Sequence, residues 1–117
     1  MRFGMFTSMG NQTWPAVLEM WKHAEATKWD VACVTDHFMP NTKEREGAML
    51  EGWSTLTALA TLVPRIQVGT IVLGNTYRHP AVVAKMAAQV DIISGGRLLL
   101  GLGAGWQENE HAAYGIP

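Results

Sequence analysis

Val31-Ala32-Cys33-Val34-Thr35-Asp36-His37 decides the fold class. Residues 31–34 are apolar at every position, with no alternation of wet and dry. Such a run marks a strand covered on both faces, as in a parallel sheet, and it ends in a polar Thr-Asp-His. Outward from it, stripes at helical spacing alternate with further short apolar runs. On the N-terminal side, residues 2–6 read as a strand stopped by the turn-rich 7–11. Thr13 as cap and Pro15 in the first turn open a helix. Trp14, Val17, Leu18, Trp21 and Ala24 form its dry stripe, and Glu19, Lys22, Glu25 and Lys28 its wet side. On the C-terminal side come a long loop at 39–50 with a charged tip at 43–46, a helix at 51–62 ended by Pro64, and a strand at 66–73. A helix then opens at Pro80 and closes at Gly95-Gly96, a strand follows at 98–102, and a fourth helix begins near Gln107.

The order β-α-β-α-β-α-β with helix-length connections makes the strands parallel and the crossovers right-handed. Two architectures accept four such units: a small open doubly wound sheet, or the first half of a (β/α)8 TIM barrel, which needs about 250 residues when complete. The chain has 117 residues and reaches Tyr114-Gly115-Ile116-Pro117 in mid-approach to another element. The expectation is an α/β chain of parallel units, residues 1–117 being the N-terminal half of a truncated barrel. A half barrel exposes its edge strands, so a homo-oligomer is expected.

Ten acidic and nine basic residues leave a formal net charge of −1. Nothing supplies the electrostatic footprint of a nucleic-acid binder, and no polybasic helix marks a membrane surface. The most apolar uncharged stretches, 54–64 and 66–77, are split by Arg65; each is short of the ~20 residues a span needs. No long apolar segment follows Met1-Arg2, and the single cysteine, Cys33, excludes a disulfide framework. A cytoplasmic protein acting on a small molecule, with no nucleic-acid or membrane partner, is expected.

Ligands of parallel βα folds bind at the carboxyl ends of the strands. That singles out 8–11, 36–38, 70–74 and 101–105. Asp36-His37 is the sharpest of these, since an acid beside an imidazole orients it or sets its protonation. Adjacent strand residues face opposite ways, so the two would play different parts. The plain structural alternative is an Asp that caps the loop and a His that packs. Gly101-x-Gly103-x-Gly105 fails the dinucleotide fingerprint, because the third glycine would fall on Trp106 or Glu108. No Lys-Ser/Thr follows, so it is not a P-loop. The bare backbone leaves room for something flat and large, or serves close packing. Glu108-x-x-His111 occurs once, where a di-metal bundle needs two such pairs, and Glu108 and Glu110 suit the dipole of a first helical turn. No metal site is expected, and Cys33 reads as a buried, inert thiol.

The run Gly69-Thr70-Ile71-Val72-Leu73-Gly74-Asn75-Thr76-Tyr77-Arg78-His79-Pro80, with Ala84-Lys85-Met86, Ser94-Gly95-Gly96-Arg97 and Gly101-Leu102-Gly103-Ala104-Gly105-Trp106, resembles the bacterial luciferase-like oxidoreductases. Within them it is most similar to the branch using a deazaflavin, coenzyme F420. Asp36-His37-Phe38 and Leu50-Glu51-Gly52-Trp53 agree in order and spacing, so the resemblance covers essentially the whole chain. It implies a (β/α)8 barrel with the cofactor ring across its mouth and hydride transfer to or from a small organic substrate. FMN in the same pocket, with oxygen activation, is the alternative within the family. A non-catalytic, self-associating fragment is the alternative outside it. The resemblance further implies a third-strand bulge at Thr70-Ile71, often with a non-prolyl cis peptide, backing the ring. His37 would be catalytic, as acid or base, with Asp36 orienting it. Gly103, Ala104, Gly105 and Asn109 would line the cofactor's side chain. Phe38 and Trp106 would belong to the substrate side, beneath a loop at 39–49. Some family members carry a carboxylic acid where Trp106 stands; that proton donor is absent here.

Overall fold

The computed structural model describes residues 1–41 and 47–117. The charged loop tip expected at 43–46 lies outside the described residues. Eight elements alternate: β1 (Gly4–Thr7), α1 (Trp14–Ala26), β2 (Val31–Val34), α2 (Gly52–Leu62), β3 (Gln67–Gly74), α3 (Pro80–Ser94), β4 (Leu98–Gly103) and α4 (Glu108–Tyr114). Local chemistry sets the helix ends. Thr13 caps α1 by accepting from the Ala16 amide. Glu51 stands just outside α2 and caps it, its carboxylate accepting from the Trp53 and Ser54 amides at 3.0 and 2.7 Å. Gly95, at φ +69°, closes α3 in the left-handed conformation that glycine adopts without strain.

The four strands are parallel in the order β1-β2-β3-β4. Spatial order equals chain order, so there is no reversal of the kind that makes a doubly wound crevice. Helix α1 packs on α2 and α2 on α3, one after the other along the sheet. The architecture is a partial (β/α)8 barrel.

The two faces of the sheet differ. Register partners Ala32 and Val68, and then Thr7, Val34 and Thr70, are buried. The core that covers them includes Val17, Trp21, Leu56, Leu59 and Val90. Trp21 is fully buried, and its indole N–H donates to Thr7 Oγ1 at 3.0 Å, so no polar group is stranded. The alternating set Phe6, Cys33, Gly69 and Leu99 shares the other face, which is open: Phe6 is 61% exposed. Strand β2 is therefore covered on one face, not two. Its second face is apolar because it belongs to the barrel interior, where strands pack on one another's side chains.

Between the pairs Thr70–Leu100 and Leu73–Leu102, β3 carries two residues, Ile71 and Val72, against Gly101 alone. This is a β-bulge, and the Ile71–Val72 peptide is cis. The bulge expected at Thr70-Ile71 thus falls one residue later. Thr70 keeps its pairing with Leu100 and is buried, its Oγ1 donating to the Gly101 carbonyl at 2.9 Å. Ile71 and Val72 are the residues that emerge on the open side. Among the described residues no helix is long and apolar enough to cross a membrane, and no group of three or more His, Cys, Asp or Glu could hold a metal ion.

Candidate active site

Two polar clusters occupy the carboxyl ends of the strands. The first is built on Asp36, just beyond β2. Its Oδ2 accepts from the Gly74 amide at 3.0 Å and from Arg78 Nη1 at 2.7 Å, and its Oδ1 accepts from Arg78 Nη2 at 2.9 Å. Arg78 Nη2 also donates to Glu51 Oε1 at 2.6 Å. One guanidinium thereby joins the end of β2, the cap of α2 and the approach to α3. Burial pulls the Arg78 pKa down, but Asp36 and Glu51 outweigh it and hold it above its ordinary value. Burial pushes the Glu51 carboxyl up, yet bonds from Ser54 and Trp53 and the charge of Arg78 keep it below the usual carboxylate range.

The second cluster is built on Glu110 in α4, a side chain with no exposed surface. Its Oε2 lies 3.0 Å from His37 Nδ1 and also accepts from the Tyr77 hydroxyl. Its Oε1 accepts from the amides of Phe38 and of Met39, the latter at 3.1 Å. Burial pushes this carboxyl up, but the donors from Tyr77, His37, Met39 and Phe38 outweigh it and hold it below the usual range. Burial, with Glu110 beside it, pushes the Tyr77 phenol well up. Gln107 and Asn109 add to the same docking, donating to the carbonyls of Met39 and Pro40 at 3.0 and 3.2 Å. Three side chains of 107–110 therefore hold the segment 37–40.

Between the clusters and the open face lies a cavity of about 230 Å³. Phe6, Thr35, Asp36, His37, Ile71, Val72, Gly74, Tyr77, Gly105 and Trp106 line it. Trp106 stands edge-on to His37, with ring centres 5.9 Å apart. Gly105 holds φ +83°, and a Cβ there would come within 2.7 Å of Thr76 Oγ1.

The cavity brings together five of the residues singled out from sequence: Asp36, His37, Ile71, Gly105 and Trp106. Five others do not line it. Thr70 is buried beneath the sheet surface. A Cβ on Gly103 would collide with Val72 Cγ2, so this glycine serves close packing between β3 and β4. Ala104 is exposed at the strand end. Asn109 is engaged with the Pro40 carbonyl. Phe38 packs between Tyr77 and Tyr114, at ring-centre distances of 4.8 and 5.0 Å. The expectation that Asp36 orients His37 is corrected as well. The Asp36 carboxylate is taken up by Arg78 and the Gly74 amide, and the group on His37 Nδ1 is Glu110. Sequence reading also missed Phe6, Tyr77 and Arg78, and carried Val72 only within the strand-end span 70–74. A period-2 count along β1 would have pointed to Phe6; no single-residue signal marks Tyr77 and Arg78.

A family profile described as luciferase-like monooxygenase matches residues 1–117. The F420-dependent glucose-6-phosphate dehydrogenase of Amycolatopsis mediterranei is 38% identical over 93 residues, 79% of this chain and 28% of that protein. The F420-dependent hydroxymycolic acid dehydrogenase of Mycobacterium tuberculosis is 37% identical over 91 residues, 77% of this chain and 25% of that one. Among solved structures, an F420-dependent secondary alcohol dehydrogenase in complex with an F420–acetone adduct superposes with a TM-score of 0.87 at 25% identity, over 99% of this chain and 35% of that chain. The oxygenating constituent of 3,6-diketocamphane monooxygenase from Pseudomonas putida, in complex with FMN, shares the fold with a TM-score of 0.80 at 19% identity, over 99% of this chain and 33% of that chain. The chain thus spans about a quarter to a third of the length of these proteins. Because the profile match runs from the first residue to the last and the strands follow barrel order, the chain belongs to the luciferase-like monooxygenase family.

Proposed function

We propose that residues 1–117 are the N-terminal part of an oxidoreductase that moves a hydride between coenzyme F420 and a small, hydroxyl-bearing organic substrate. One observation carries this reading: the cavity at the strand ends has an apolar wall made by the bulged Ile71 and Val72 with Phe6 and Trp106, and His37 stands at its edge. A flat, largely apolar ring packs on such a wall, and Gly105 offers backbone where a ligand comes near. Arg78 is committed to Asp36 and Glu51, so the cofactor's phosphate would be met by other groups. A deazaflavin supplies the carbon that gives or takes the hydride, and it reacts poorly with oxygen.

The chain's own residues do the rest. His37 takes or returns the hydroxyl proton. Trp106, edge-on to it, shields that ring from water. Asp36 ties the tips of β2 and β3 together through Arg78 and the Gly74 amide, so its part is to hold the wall in place. Of the relatives that carry F420 in their names, the three described above are dehydrogenases, two of them acting on hydroxyl compounds by name; this supports the substrate class. FMN with oxygen is the second reading, and its support is a likeness of fold.

Fluorescence titration of F420 and of FMN against the protein, alone and within any longer polypeptide the gene encodes, tests the proposal. F420 is expected to bind at least about tenfold more tightly, a difference of some 1.4 kcal/mol. Tighter binding of FMN overturns the cofactor assignment. A stable dimer in size-exclusion chromatography that binds neither favours the self-associating fragment.

A further inference from the structure

We infer that Glu110, not the adjacent Asp36, is the positioning residue for His37: it fixes the imidazole tautomer with the proton on Nδ1 and leaves Nε2 as the nitrogen that exchanges a proton in the cavity. The use of Nε2 rests on the function proposed above; the tautomer does not.

Four donors converge on the two oxygens of Glu110. The Phe38 and Met39 amides fill Oε1, and His37 Nδ1 and the Tyr77 hydroxyl fill Oε2. An ionised carboxylate only accepts, so the nitrogen facing it carries the hydrogen. Among the described residues Nε2 has no hydrogen-bond partner, and the ring borders the cavity. When a substrate hydroxyl gives up its proton, the O–H bond breaks and an N–H bond forms at Nε2. The imidazolium so made already has its Nδ1–H against a carboxylate, which offsets the new charge. In the reverse direction the same proton returns to the oxygen. Asp36 cannot fill this role, because both its oxygens are held by Arg78 and the Gly74 amide.

Glu110→Gln gives a sharp test. A glutamine offers one oxygen and one NH₂ in the same space. The Phe38 and Met39 amides are backbone donors with fixed direction, so the oxygen goes to them and the NH₂ faces His37. Nδ1 must then accept, and the tautomer reverses. Long-range ¹H–¹⁵N correlation on protein labelled with ¹⁵N-histidine reads this directly, at alkaline pH where a free imidazole is neutral. A His37→Asn variant assigns the signal. The expected result is a protonated Nδ1 in the wild type, a bare Nδ1 in Glu110→Gln, and a protonated Nδ1 in Asp36→Asn. Unmoved His23 and His79 signals report an intact fold in each variant. A bare Nδ1 in the wild type overturns the inference, as does a protonated Nδ1 in folded Glu110→Gln or a bare one in folded Asp36→Asn. Should a variant fail to fold, the wild-type spectrum decides alone. Failure here leaves the preference for F420 over FMN untouched, and failure of that preference leaves the tautomer untouched.

Discussion

At the carboxyl ends of the strands Arg78 grips two carboxylates, whereas at the amino ends Arg97 and Arg65 grip backbone carbonyls. Arg97 donates to the carbonyls of Ala60, Val63, Ile66 and Ser94 at 2.6–2.7 Å, closing the ends of α2 and α3. Arg65 donates to those of Ala24, Glu25 and Thr27 at 2.9–3.0 Å, closing α1. The carbonyls held by the lower arginines cannot titrate; they lie in and just beyond the last turns of helices, where backbone partners run short. The upper one balances charges that pH or a ligand can re-sort. Barrels divide labour in this way, with stability at the amino end of the strands and chemistry at the carboxyl end.

Breaking the upper grip should have the largest effect. Arg78→Met strands two carboxylates, one of them, Asp36, without exposed side-chain surface. A loss of about 3–5 kcal/mol in urea unfolding at neutral pH is expected, since removing one member of a buried ion pair leaves the other uncompensated. His37→Ala should separate chemistry from stability: turnover falls about 10²-fold or more, the scale of a general acid or base, while cofactor affinity changes little. Equal loss of both would assign His37 to binding. At the lower end, Arg97→Met leaves four carbonyls short of a donor and should cost about 2–3 kcal/mol. Its cost should be the same at pH 5 and pH 8, and cofactor affinity should be unchanged. Glu110 and Glu51 are held below the ordinary carboxylate range, so the stability they contribute is present above about pH 4.3 and is lost as pH falls through their folded values. Glu110→Gln should therefore flatten the acid limb of a stability–pH curve; an unchanged slope would refute this. The smallest effect is expected for Arg65→Ala, near 1 kcal/mol, because its side chain is 47% exposed and water replaces part of what is lost.

The order of elements was legible because most have a local cause: Thr13 as a cap, Pro80 at a helix start, Gly95 at a helix end. The cavity was half legible, through residues at strand ends such as His37 and Trp106. Glu110 was not, because a first-turn acid reads as a dipole partner, and its contact with His37 spans 73 positions. Only the docking of α4 on segment 37–40 buries it. Gly103 was ambiguous for another reason: a missing side chain signals closeness without saying to what, and here Val72 is the neighbour. The one-residue error at Thr70 comes from the bulge, which shifts which residues emerge and which stay paired. Phe38 stands outside the cavity lining because its ring partners, Tyr77 and Tyr114, come from distant parts of the chain.

Gly101 and Gly103 set a limit on how this pocket can be re-shaped. Any Cβ at the first meets the Thr70 carbonyl, and at the second Val72 Cγ2. The first neighbour is backbone and the second a side-chain methyl, so a side chain at Gly101 would push the strands apart and one at Gly103 would displace the Val72 side chain. A directed-evolution library has more to gain at Phe6 and Trp106, whose large side chains line the pocket yet are 61% and 65% exposed.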